Sequence, residues 1–179
     1  MKKILILLSI IILVGCTTLD ISNTPNKKVE EFLNKYQMLD EEILNELDNV
    51  IDSKTKLNNE NKEEYRKLIK KQYKDMQYTI KETTIDGDVA KVKVEIIVKD
   101  FTKIINDAEV YKRENMKEFY ENEIYNDNSY KKYLIDKLKD AKDRVTYTLE
   151  FTLHKKNKKW TLDPITKEIE DKILGIYKY

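Results

Sequence analysis

Residues 145–154 alternate apolar and polar side chains without a fault: Val145, Tyr147, Leu149, Phe151 and Leu153 against Thr146, Thr148, Glu150, Thr152 and His154. A period of two places one set on each face of a strand, so the apolar set must be covered and the polar set left in water. Such a strand needs antiparallel neighbours and a layer of helices over its apolar face. The rest of the chain supplies both. Residues 78–85 and 89–101 read as strands joined at Asp86-Gly87, a dipeptide suited to a type I′ hairpin, and Asn157-Lys158 turns the chain into a short strand holding Trp160 and Leu162.

The helices follow from a 3.6-residue period. Thr24-Pro25 offers an N-cap followed by proline at the first helical position, and Val29, Phe32, Leu33, Tyr36, Leu39, Ile43, Leu44, Leu47 and Ile51 then recur at helical spacing. A second helix is predicted over 60–75, with Tyr65, Leu68, Ile69, Tyr73 and Met76 on one face, and two more near 102–123 and 129–142. Asp163-Pro164 is expected to cap a last helix carrying Ile165, Ile169, Ile173 and Ile176. The resulting order, ααββααββα, describes an α+β fold: a curved antiparallel sheet of about four strands packed on helices, formed by residues 28–179 as a single domain.

The first residues obey different rules. Lys2 and Lys3 precede an apolar run, 4–14, with Ser9 its one polar residue, which Gly15 and Cys16 end. Those eleven residues span roughly 16 Å as a helix, well short of a hydrocarbon core of about 30 Å, so they fit the core of a signal peptide better than a membrane span. Leu13-Val14-Gly15-Cys16 resembles the bacterial lipobox. That resemblance implies cleavage after Gly15, a diacylglyceryl thioether on Cys16, and a lipid-anchored protein on the extracytoplasmic face of the cell membrane. One acyl chain holds a protein only marginally, and a diacylglyceryl group supplies two. Cys16 is the only cysteine, which leaves no disulfide to staple the fold, and 16–27, rich in Thr, Ser and Asn, reads as a tether.

Removing 1–15 takes Lys2 and Lys3 with it and leaves 32 basic residues against 33 acidic ones, a balance that gives no field suited to nucleic acid. Lysine outnumbers arginine 31 to 3, which reads as the codon bias of an AT-rich genome.

Two stretches carry a family resemblance. Tyr78-Thr79-Ile80 through Asp86-Gly87-Asp88-Val89-Ala90-Lys91-Val92-Lys93-Val94, and Lys155-Lys156-Asn157-Lys158-Lys159-Trp160-Thr161-Leu162-Asp163, resemble the hairpins of nuclear-transport-factor-2-like lipoproteins of low-GC Gram-positive bacteria, proteins of the cystatin-like cone fold. Asn157-Lys158 stands where that family often has Asp-Gly. Most such lipoproteins have no assigned activity, so the resemblance implies a fold and brings over no functional residues.

Candidate chemistry is sparse. His154 is the only histidine and ends a strand beside Lys155, which leaves nucleophiles without a base and metals without an imidazole set. Only Gly87 and Gly175 survive maturation, so no phosphate-binding glycine loop exists. Asp40, Glu41, Glu42, Glu46 and Asp48 read as a solvated helix face, lacking the glycine turn of a calcium loop. No catalytic residue, metal ligand or cofactor site is expected. Lys155, Lys156, Lys158 and Lys159 crowd one hairpin tip, where each ammonium group adds about 1 kcal/mol of attraction to an anionic surface; the same pattern also serves solubility and edge protection. Among the twelve tyrosines, Tyr120, Tyr125, Tyr130 and Tyr133 cluster at a helix junction, either as a ligand groove or as amphipathic core.

Two functions compete. One is a non-catalytic domain, tethered to the membrane through Cys16, that binds an envelope ligand or protein and is monomeric by itself. The alternative is a small-molecule enzyme with a pocket between sheet and helices, as the resembled fold also hosts isomerases and hydratases.

Overall fold

A computed structural model describes residues 23–54 and 56–178. The signal-peptide reading, Cys16 and the first part of the tether lie outside the described residues. The fold is α+β, with helices packed on a four-stranded antiparallel sheet. Its strands β1 (Gln77–Asp86), β2 (Val89–Lys99), β5 (Arg144–Lys156) and β6 (Lys159–Leu162) stand side by side in the order β1-β2-β5-β6. Two hairpins thus meet along the β2–β5 seam, where Val94 faces Leu149 and Val89 faces His154.

The alternation read from the sequence is the packing. Val92, Val94 and Ile96 are fully covered and Leu149, Phe151 and Leu153 nearly so, with α1 (Pro25–Met38), α3 (Asn59–Asp75) and α6 (Lys167–Leu174) lying over them. Lys91, Lys93, Thr146, Thr148 and Glu150 face water on the other side. A bulge between Ile80 and Glu82 puts Lys81 out of step with β2.

Three features depart from the sequence expectation. The helical stretch after Thr24 is two helices: α1 ends where Leu39 turns left-handed (φ 54°), and the Asp40 carboxylate, accepting from the Glu42 amide at 3.0 Å, opens α2 (Glu41–Lys54). The helix expected to reach Glu123 is α4 (Phe101–Glu114); a 3₁₀ turn at Met116–Phe119 and a two-stranded ribbon, β3 (Tyr120–Glu121) and β4 (Ile124–Tyr125), follow it before α5 (Asp127–Lys139). The last helix is capped by Thr166, whose hydroxyl accepts from the Ile169 amide, while Asp163 turns back to His154 at 2.9 Å.

The turns sort by glycine. Asn157 and Lys158 both have positive φ, as a type I′ turn requires. In the first hairpin Gly87 and Asp88 are the central residues and only Gly87 is positive (φ 58°), the pattern of type II′ rather than the expected I′.

Candidate functional site

The four helices α1, α2, α3 and α6 do not close completely on one another. They leave a partly enclosed cavity of about 160 Å³, lined by Tyr36, Ile43, Leu47, Tyr65, Tyr73 and Ile173, with Glu46, Glu170 and Lys167 at its margin. Each lining residue sits on the inward stripe of its helix. The spacing Tyr65-Ile69-Tyr73 on α3 is that of successive turns, and Ile43-Leu47 on α2 repeats it.

Tyr36 and Tyr73 meet edge to face at 5.0 Å, and both are more than nine-tenths buried. Among the described residues, neither these two hydroxyls nor that of Tyr65 has a hydrogen-bond partner, yet only Tyr125 has a fully occluded orphan oxygen. The three hydroxyls are therefore not fully occluded, and the residues that carry them line the cavity. Burial holds Tyr36 and Tyr73 protonated far above the ordinary phenol range, and the nearby carboxylates of Glu46 and Glu170 push both further the same way. Burial also raises Tyr65. Glu46 and Glu170 have no ion-pair partner among the described residues, whereas Lys167 is engaged by Asp171. The cavity is thus apolar in its body, edged by donors, and negative at its margin.

Sequence reasoning named none of these residues as a site. Tyr36, Tyr65 and Tyr73 appear there only as helical-stripe residues, because a stripe cannot show that four helices fail to interdigitate at one point.

The tyrosines singled out from the sequence do come together, as a satellite core. Phe119 lies between Tyr130 (5.3 Å) and Tyr133 (5.6 Å), Tyr111 stacks on Tyr133 at 4.9 Å, and Tyr120 meets Tyr125 at 6.0 Å. Tyr130 is buried and donates to Glu109 Oε1 at 2.6 Å. Lys112 covers the Tyr130 ring at 4.2 Å and Lys137 lies over Tyr133 at 5.3 Å, so the chain's own cations occupy these faces. Tyr120 borders an open depression with Met116, Lys117 and Glu123.

Lys155, Lys156, Lys158 and Lys159 are exposed at the β5–β6 tip, with Lys155 Nζ 5.5 Å from the centre of the Trp160 ring. His154 is half exposed on the outer sheet face, away from the cavity, and faces Asp163. Asp40 and its acidic neighbours are helix-capping and surface residues, and among the described residues no group of three or more His, Cys, Asp or Glu could hold a metal ion. Likewise among these residues, no helix is long and apolar enough to cross a membrane.

No protein-family model, no curated protein and no solved structure matches this chain.

Proposed function

We propose that the chain is a membrane-anchored, extracytoplasmic lipoprotein whose folded part is a non-catalytic binding domain of the nuclear-transport-factor-2-like kind. The observation that carries the binding half is the set of three tyrosines, their hydroxyls without a partner among the described residues, that line a partly enclosed apolar cavity between the helices. A phenol oxygen accepts as well as donates, so these hydroxyls can turn their lone pairs on the polar head of a small ligand that enters the cavity. The volume matches that of an engineered cavity of about 150 Å³ that takes benzene, so the ligand is small. Aromatic rings beside two unpaired carboxylates favour a cationic head, and we assign the cavity to a small organic ammonium compound with an apolar body.

The anchoring half is supported by the n-region lysines, the short apolar run and Leu13-Val14-Gly15-Cys16. Binding rather than turnover is favoured because His154, the single imidazole, lies on the outer sheet face, and because side chains fill the space between sheet and helices where the enzymes of the resembled fold keep their pocket.

Two measurements test the two halves. Metabolic labelling with a fatty-acid probe should mark the wild type and not Cys16→Ala; label retained in the variant rejects the anchor. Thermal unfolding with tetramethylammonium, choline and their neutral isosteres should show stabilisation by the cations alone, lost in Glu46→Gln/Glu170→Gln. An absence of any shift across that series rejects the cavity assignment.

A further inference from the structure

The first described residue ties the tether to the lysine-rich tip. Asn23 Nδ2 donates to the carbonyl of Lys158 at 2.6 Å, and the Trp160 amide donates back to Asn23 Oδ1 at 2.9 Å. The side chain of Asn23 thereby pairs with β6 as a strand would, just past the turn that carries Lys155, Lys156, Lys158 and Lys159. Six residues separate Cys16 from Asn23, and the seven steps between them reach at most roughly 25 Å when fully extended. A lipid on Cys16 would therefore keep this end of the domain within that reach of the bilayer, leaving its orientation to be set by the surface it presents. The opposite end of β5, at Arg144, is about 40 Å further along the strand.

The chemistry of that end suits the position. Many surface lysines elsewhere are paired, as Lys91 is with Glu150, Lys93 with Glu82, Lys103 with Asp143 and Lys139 with Glu64; others, such as Lys71, Lys74 and Lys142, have no such partner among the described residues, and the β5–β6 tip differs in crowding four lysines into five consecutive residues. Among the described residues no carboxylate lies within ion-pair distance of Lys155, Lys156, Lys158 or Lys159. The adjoining β1–β2 turn, joined to this tip by the Lys155 amide donating to Asp88 O at 2.8 Å, contributes Asp86 and Asp88 but also Ile85, which is 58% exposed, and the partly exposed Val89. Four unpaired cations against two carboxylates, with apolar side chains alongside, make a surface complementary to anionic headgroups.

We propose that the paired hairpin tips dock on the anionic headgroup layer of the membrane that holds the lipid anchor, and that Asn23 keeps the tether at this end of the domain, with the sheet standing away from the bilayer. This orientation rests on the lipoprotein reading, and the test separates the two. The full lipidated protein, reconstituted in vesicles of mixed phosphatidylglycerol and phosphatidylcholine, is labelled with a fluorophore at Lys156→Cys or at Lys142→Cys; each variant loses one lysine, so the pair is matched. The parent protein, with Cys16 acylated, should take no thiol label. Labelling of the parent at Cys16 overturns the anchor itself. With the anchor intact, a headgroup-attached quencher should reach the label at position 156 and not the one at 142. That contrast should be lost in pure phosphatidylcholine and when Lys155, Lys158 and Lys159 are replaced by glutamine. Equal quenching at both positions, or a contrast unchanged by neutral lipid and by the glutamine replacements, overturns the docking proposal while leaving the anchor standing.

Discussion

A Cβ added to Gly175 would lie 2.1 Å from the carbonyl oxygen of Lys99. The two residues meet where β2, α3, α4 and α6 converge. Gln72 Nε2 donates there to the carbonyls of Lys99 and Leu174, and Gly175 O accepts from the Phe101 and Thr102 amides that open α4. Gly175 also has φ 75°, so an alanine brings both backbone strain and a clash with a hydrogen-bonded carbonyl. Gly175→Ala should cost about 3 kcal/mol or more, roughly 6–12 °C in Tm for a domain of this size. Gly87, at φ 58° with nothing within 4 Å of its Cβ position, has backbone strain without a clash: Gly87→Ala should cost about 1–2 kcal/mol. Equal losses in the two variants would show that the knot around Gly175 is not as tight as described.

The satellite core allows a paired test of its hydroxyls. Tyr125 has a buried hydroxyl with no partner among the described residues, whereas that of Tyr130 donates to Glu109. Removing an orphan relieves its desolvation cost, and removing a partnered group forfeits a charge-assisted bond. Tyr125→Phe should therefore be neutral or stabilising by up to about 1 kcal/mol, and Tyr130→Phe destabilising by about 1–2 kcal/mol, as measured by urea denaturation. The opposite ranking would mean that Tyr125 finds a partner in solution.

The sheet was legible in the sequence because its period is unambiguous: every residue of the 145–154 alternation faces the side expected of it. The first helix pair was not, because Leu39 keeps the apolar phase across the break, and the α2 start lies in Asp40-Glu41-Glu42, an N-cap with an acidic first turn that also reads as a solvated face. Ribbon β3–β4 has two residues a strand, too few to show any period. The cavity was illegible for a different reason. Tyr36, Tyr65 and Tyr73 are spaced as core residues and are core residues; what distinguishes them is a shortfall in packing among four helices, which no single helix encodes.

Glu64 provides a pH test. Hydrogen bonds from Lys139 and Lys67 hold its carboxyl down from an ordinary 4.5 to about 2. A depressed folded-state value contributes stability that is present above the ordinary glutamate range and lost as pH falls toward the folded value. The protein should therefore lose stability between about pH 4.5 and 2, and Glu64→Gln should show a shallower loss over that window. Both lysines and the carboxylate are solvent-accessible, so molar salt should shrink the difference between variant and wild type. Identical acid limbs for the two proteins would remove Glu64 from the account.

The outer sheet face bears on assembly. Lys91 pairs with Glu150 at 2.9 Å, Lys93 with Glu82 at 2.9 Å and Lys81 with Glu95 at 3.2 Å, which laces β1, β2 and β5 together across the strands. A stable interface is depleted in lysine and glutamate at its centre, and covering these pairs would desolvate charges that water and their partners now satisfy. Among the outward positions of β2 only Val89, at the turn, and Ile97 are apolar, and Ile97, the one within the charged field, is only partly exposed. The isolated domain, freed of its anchor, should therefore be a monomer in solution with this face in water. Light scattering at tens of micromolar decides the point, since a dimer mass that persists on dilution requires an interface this face does not provide. Replacing Ile97 with lysine then separates the cases: a dimer that survives the added charge is built by the helices instead of the sheet.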